Sequence, residues 1–418
     1  MNQRHKSRGR PVLLTAVWML AIGACSEAPD DPPAASAVTL FTGAKLIAGD
    51  GTVIENATFV VEDGRFTAVG AAGEVPVPDG AIRVDQRGLT VMPAIVDAHT
   101  HLGTTREALL EDLRRRASLG IGAALSLGAD DLGAPLEMRD ETIPGAARYR
   151  SAGRGITAPE PGRFEEPHWV TSEEEARQAV RAEAARNVDI IKIWVDDRRG
   201  QYQKLSPALY QAVIDEAHAH GLKTIAHIYA LEDAKGLLRA GIDAFAHGVR
   251  DRDIDDEFLE LIRERPEVVL VPNLPRRGVP TDLGWLKESM TTAEWTELQA
   301  DNVERPERQD AFALQARNLV RLSEAGVPIA LGTDGSFWAP HVEMEDMVAA
   351  GLSPAEVLIA ATRNAAALAG LEDAGTIEVG KRADFVVLEA SPLDDITNTR
   401  RIVDVYLSGE MVERKGAS

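Results

Sequence analysis

The alternation of apolar and polar positions divides the chain into two textures. Residues 37–90 carry short alternating runs broken at Gly49-Asp50-Gly51, Asp63-Gly64 and Pro78-Asp79-Gly80. The segments VTLFTGAKLI, TVIENATFVVEDG, RFTAVG and AIRVDQRG predict strands of a small β unit. The same texture returns near the C-terminus in ADFVVLEA and VDVYLSGEMVE, so residues 37–90 and 373–418 are expected to form one β-sandwich domain. Between them, over 91–372, apolar runs alternate with helical stretches such as SEEEARQAVRAEAARN and LEDAKGLLRAG, as βα units do. Strands are expected at 92–97, 121–127, 148–152, 189–194, 223–228, 242–246, 268–272 and 327–333. That number suits a closed parallel barrel, which makes the fold class α/β: a (β/α)8 TIM barrel with the sandwich beside it. No repeat of solenoid period is visible. Residues 273–318 are long for one βα connection and carry Arg276, Arg277, Trp285 and Trp295; a lid is expected there.

The polar residues at the strand ends carry the chemistry. His99, His101, Lys192, His227, His247 and Asp334 each stand at or just beyond the end of an apolar run (AIVDAHTH, DIIKIW, KTIAHI, DAFAHG, PIALGTD). In a parallel barrel all strand C-termini open onto one face, so residues distant in sequence can meet at one metal centre. Side chains at i and i+2 of a strand point the same way, which lets His99 and His101 share an ion. His218 and His220 repeat the spacing inside PALYQAVIDEAHAHG, a predicted helix ending at Gly221, where residues two apart diverge. They are read as its polar last turn, where His also suits the helix dipole.

Composition narrows the setting. A chain of 418 residues, 44% hydrophobic and 27% charged, is an ordinary globular composition. Its first two dozen residues read differently. MNQRHKSRGR carries four positive charges and PVLLTAVWMLAIGA is apolar but short for a membrane span, the pattern of a signal peptide over 1–24. Cys25, the one cysteine, follows Ile22-Gly23-Ala24; this resembles the lipobox of bacterial lipoproteins, in which the Cys is lipidated. Residues 25–36 then form a Pro/Ala-rich tether. With Ser26 rather than Asp next, the expectation is an exported protein held by its lipid anchor at the outer membrane, facing the periplasm or the cell surface. Losing the leader moves the net charge from −21 to −25. Such an acidic body is a poor partner for nucleic acid or anionic lipid, which leaves the acyl chains as the membrane contact. Monomer and homo-oligomer both remain open.

VMPAIVDAHTHLG, Lys192 on its strand, one His after each of the next two strands, and LGTDG resemble the amidohydrolase superfamily. AGTIEVGKRADFVVLEASPLDDI is similar too, and the resemblance runs from about residue 37 to 415. The nearest group is the imidazolonepropionase-related and Xaa-prolidase-like hydrolases with a carboxylated lysine. The resemblance implies two divalent ions: His99, His101 and Asp334 hold the more buried one, His227 and His247 the second, and Lys192 bridges them. A protonated lysine has donors only, so bridging requires the carbamate formed with CO2. Zinc suits the donor set, with manganese or cobalt as substitutes. The implied reaction is hydrolysis of a C–N bond in a dipeptide, N-acyl amino acid or cyclic amide. A hydroxide bridging the ions attacks, and Asp334 is the catalytic base and proton shuttle. Tyr229 resembles the tyrosine that prolidase-like members use to hold a substrate carboxylate, and His168 is expected to line the pocket. A lactone, ester or organophosphate hydrolase would use the same machinery. A mononuclear deaminase would lack the bridging Lys and usually carry a Glu after the fifth strand. A non-catalytic binding lipoprotein would normally have lost ligands, and all six are present.

Overall fold

The computed structural model describes residues 38–414; the leader, Cys25 and the tether lie outside the described residues. Strands β1 (Thr39–Ile47), β2 (Val53–Glu62), β3 (Arg65–Ala71), β4 (Ile82–Asp85) and β5 (Thr90–Pro93) come first. The central stretch supplies β6 (Ile95–Thr100), β7 (Ile121–Ser126), β8 (Arg148–Ser151), β9 (Ile156–Thr157) and β10 (His168–Trp169). It continues with β11 (Ile191–Val195), β12 (Thr224–Ile228), β13 (Ala244–Ala246) and β14 (Val269–Val271). The chain closes with β15 (Phe385–Leu388), β16 (Ile402–Leu407) and β17 (Glu410–Met411).

Both ends of the chain build one eight-stranded sheet in the order β17-β16-β15-β5-β1-β2-β3, with β4 beside β1. Four strand steps separate β15 from β3, about 19 Å in a flat sheet. The Phe66 and Phe385 rings nevertheless lie 5.8 Å apart. The sheet therefore folds back on itself, and Phe66 N–H donates to Lys381 O at 3.0 Å across the turn. Phe41, Phe59, Phe66 and Phe385 fill the space between its halves, Phe41 stacked on Phe59 at 4.8 Å.

The central strands are parallel, in the orders β6-β7-β8 and β10-β9-β11-β12-β13-β14. β11 (IKIWV) and β12 (TIAHI) are buried at every position, the pattern of parallel strands covered on both faces. Backbone bonds link the two sheets. Ala330 N–H donates to Leu270 O (2.9 Å), Ala98 N–H to Leu331 O (2.9 Å) and Asp189 N–H to Ser151 O (2.9 Å). The expected strand 327–333 thus lies between β14 and β6, but only as an isolated bridge at Ile329. The expected strand 92–97 is divided. Ala94 N–H donates to Asp384 O in the first sheet, while Ile95 N–H donates to Gly120 O in the second.

Helices follow the strands where the sequence supplies caps. Ser172 and Glu175 form a capping box for Glu173–Ala185, and Ser206 caps Pro207–Ala219 with Pro at its first turn. Helix Arg106–Ser118 is capped by Thr105 and buries Leu109, Leu113 and Ala117. His218 and His220 end their helix as expected, one facing Asp243 (2.9 Å) and the other Glu216 (3.5 Å). Among the described residues no helix is long and apolar enough to cross a membrane.

Candidate active site

The ends of β6, β12 and β13, Lys192 near the start of β11 and the turn after Leu331 gather the six predicted residues. His101 Nε2 lies 3.0 Å from Asp334 Oδ1, and the Nε2 atoms of His99 and His247 each lie 3.8 Å from Asp334 oxygens. The His99 and His247 rings are 5.1 Å apart, those of His227 and His247 4.7 Å. His99, His247 and Asp334 each offer a ligand atom within 4.8 Å of the others, a spacing that fits a divalent cation.

Three backbone positions are bent to make this cluster. His247, Asn273 and Asp334 are non-glycine residues with φ of 72°, 44° and 51°. His, Asn and Asp tolerate that left-handed region best, and such conformations gather where a site requires them. Gly332 allows another close approach: a Cβ there would stand 2.7 Å from His99 Cβ and 2.8 Å from His99 N.

Electrostatics set the protonation states. Burial holds His99, His227 and His247 well below the usual imidazole range, with neighbouring Lys192 adding to the effect in all three. Their rings are neutral and keep a lone pair. Burial opposes ionisation of Asp334, but the hydrogen bond from His101 and the electrostatic pull of the surrounding basic groups outweigh it. Its carboxyl is held below the ordinary range. Lys192 is buried, and burial brings its pKa down to about 7 against the pull of Asp334. Its Nζ has no hydrogen-bond partner among the described residues. An unpartnered, readily neutral amine among imidazoles and a carboxylate is the chemistry from which a carbamate forms, so these residues fit the implied ions.

A buried network that sequence reading missed holds two of the loops together. Arg116 Nη1 donates to Asp97 Oδ2 (2.9 Å), and its Nη2 donates to Thr100 Oγ1 (2.6 Å) and Gly335 O (3.2 Å). Asp97 accepts from the N–H groups of His99 (3.3 Å) and Thr333 (3.1 Å) and from Thr333 Oγ1 (2.9 Å). The strand of the His-x-His pair and the turn of Asp334 are thus tied to one ion pair. Asn273, also missed, sits 2.8 Å from His99 Nδ1 through Oδ1. Accepting that proton leaves Nε2 as the lone-pair nitrogen.

Two cavities meet at His101 and Asp334. The smaller, of about 230 Å³, is lined by the cluster with Arg163, Phe164, Trp194 and Arg198. The larger, of about 690 Å³, has walls that include Arg115, Arg276, Glu294, Phe337 and Trp338. Part of that wall comes from 273–318, which folds into helical pieces at Gly284–Ser289 and Thr292–Asp301 and the start of Pro306–Glu324. Two expected pocket residues are not brought into the cluster. His168 Nε2 pairs with Glu183 Oε1 at 2.8 Å, because β10 lies beside β9 and turns it toward helix Glu173–Ala185. Tyr229 lies under Arg250, the guanidinium 5.3 Å from its ring centre.

A parallel α/β core bearing a His/His/Asp group at its strand ends is a scaffold with a donor set suited to holding a metal ion. The model of the Amidohydrolase family matches residues 90–412, and the chain belongs to that family. It is 25% identical to ochratoxinase of Aspergillus niger, over 91% of this chain and 87% of that protein. It is 27% identical to imidazolonepropionase of Deinococcus radiodurans, over 89% and 98%. A Bifidobacterium longum protein assigned as a prolidase superimposes with a TM-score of 0.76 at 29% identity, covering 91% of this chain and 96% of that one.

Proposed function

We propose that the protein is a binuclear metal-dependent hydrolase of C–N bonds in small substrates such as dipeptides, N-acyl amino acids or cyclic amides. The parallel strands are read as its (β/α)8 barrel, the two-ended sheet as its second domain, and 273–318 as a lid. The observation that carries the reading is Lys192, a buried amine with no hydrogen-bond partner among the described residues, close to neutral imidazoles. As a carbamate it would offer one oxygen to each of two ions, with His99, His101 and Asp334 on one and His227 and His247 on the other. Zinc suits these donors. When bound, the ions would polarise the scissile carbonyl and make water a nucleophile at neutral pH.

The chain's own groups do the rest. Asp334, ionised and 3.0 Å from His101, accepts the proton of the attacking water. It then delivers that proton to the departing nitrogen, so that amide and water become carboxylate and amine. Arg163 and Arg198 line the smaller cavity beside Asp334 and suit a substrate carboxylate. The larger cavity takes the other half of the substrate. Tyr229 and His168 are not needed for this. The leader and Cys25 carry the protein to the outer membrane.

The test is elemental analysis of the reconstituted protein together with a substrate screen across dipeptides, N-acyl amino acids, lactones and aryl phosphoesters. Two ions per chain and turnover of an amide are expected. One ion and deamination, or no ion and no turnover, would refute the reading.

A further inference from the structure

We infer that Asp196 orients His227, taking the proton of Nε2 so that Nδ1 is left as the lone-pair nitrogen. The inference rests on the reading of His227 as a metal ligand.

Nε2 of His227 has three polar neighbours, each at 3.1 Å: Asp196 Oδ2, Arg198 Nη1 and Arg250 Nη2. A neutral imidazole nitrogen either donates or accepts, and the choice fixes the other nitrogen. If Nε2 accepted from a guanidinium, Nδ1 would carry the proton and could not ligate. Both guanidiniums already have acceptors. Arg198 Nη1 donates to Asp196 Oδ2 at 2.8 Å, and Arg250 Nη2 to Ile228 O at 2.6 Å. Of these three neighbours the Asp196 carboxylate is the one that accepts, so a proton on Nε2 pairs with it while each guanidinium keeps the acceptor it has. Nδ1 makes no hydrogen bond among the described residues, and His227 lines the smaller cavity.

Asp196 is itself fixed before any ligand arrives. It is buried, and its Oδ1 accepts the Arg198 backbone N–H at 2.9 Å. Arg198 Nε donates to the buried Glu160 at 3.1 Å, and Arg198 holds a left-handed φ of 53°. The loop after β11 is thus bent to return one side chain to its own strand's neighbour, β12. Carboxylates that accept from the distal nitrogen of a ligating imidazole set its tautomer and strengthen it as a ligand. Asp196 is in this sense a positioning residue; it touches no reacting atom.

The experiment uses the full chain with nitrogen-15-labelled histidine. In the metal-free protein His227 should resonate as the Nε2–H tautomer. Asp196→Ala should shift it toward Nδ1–H, and Asp196→Asn, which keeps an acceptor oxygen, should largely restore it. On zinc titration with a competing chelator, Asp196→Ala should weaken one ion by roughly 10–100-fold and leave the other unchanged. Asp196→Asn should recover most of that affinity. A wild-type His227 protonated at Nδ1 would overturn the inference. So would Asp196→Ala with wild-type affinity for both ions while His227→Ala loses one. If His227→Ala binds as many ions as wild type, the ligand reading of His227 fails instead. Should Asp196→Ala not fold, the wild-type tautomer and Asp196→Asn decide.

Discussion

Replacing Arg116 by Met keeps most of the stem volume and removes the charge from the centre of a buried network. Asp97 is 0% exposed, and its charged partner is Arg116 Nη1 at 2.9 Å. Breaking a buried pair from one side costs about 3–5 kcal/mol, because the remaining charge stays desolvated. Domains of ordinary stability have about 5–15 kcal/mol to lose, so the variant should be near the edge of folding without metal. Burial already raises the Asp97 carboxyl against the opposing charge of Arg116. Without Arg116 it should rise further, and the variant should take up a proton on folding. Its deficit against wild type should therefore shrink as pH falls from 8 to 5. Urea unfolding of the metal-free proteins, followed by tryptophan fluorescence, measures the deficit at each pH. Zinc competition measures the second consequence, since the same pair holds the turn of Asp334 through Thr333 and Gly335. A deficit under 1 kcal/mol, or one that grows as the pH falls, would refute the reasoning.

Lys192→Ala should lose metal and activity together, and a short-chain carboxylic acid filling the vacated space should restore part of both. Metal content of the variant with and without the acid checks this; full metal occupancy in its absence would count against a bridging role. Gly332→Ala should force strand and His99 apart, since a Cβ would stand 2.8 Å from His99 N. The expected loss is about 1–3 kcal/mol in urea, with weaker zinc binding. His341 is buried between Leu119 O (2.9 Å) and Thr399 Oγ1 (3.1 Å), and burial pulls its pKa from 6.5 to about 4. The unfolded chain binds this proton from about pH 6.5 downward and the folded one does not until near 4. The contribution is therefore complete above pH 6.5 and lost toward pH 4, about 3 kcal/mol in all. His341→Gln should remove that share of the acid sensitivity of the metal-free protein; an unchanged stability difference between pH 7 and pH 4.5 would exclude it.

The convergence of His99, His101, Lys192, His227, His247 and Asp334 was legible because strand ends in a parallel arrangement share one face. That property follows from apolar runs and their order. The groups that hold them were not legible. Arg116 sits on a helix whose charged face looks solvated in sequence, and only the approach of that helix to β6 buries it. Asp196 and Arg198 lie in DDRRG, which reads as a polar turn; the left-handed backbone that returns Asp196 to β12 has no periodic signal. His168 and Tyr229 lie outside the cluster. The expectation for Tyr229 rests on a resemblance and that for His168 on its place after the third strand, whereas short β10 turns His168 to Glu183 and Tyr229 packs on Arg250. Arg163 and Phe164 stand in the β9–β10 connection that leads to His168, and proximity to the site in sequence could not separate them.

The phenylalanine-lined sheet has a bearing on how the polypeptide matures. β5 pairs with β1 on one edge and β15 on the other, and Phe385 and Tyr406 pack on Phe41. A nascent chain leaving the ribosome therefore makes half of this aromatic core at the beginning and receives the other half near the end. Until then Phe41, Phe59 and Phe66 have no cover from the final strands. Premature termination ahead of β15 would strand an aromatic surface in solvent, and quality control should recognise such fragments by that surface.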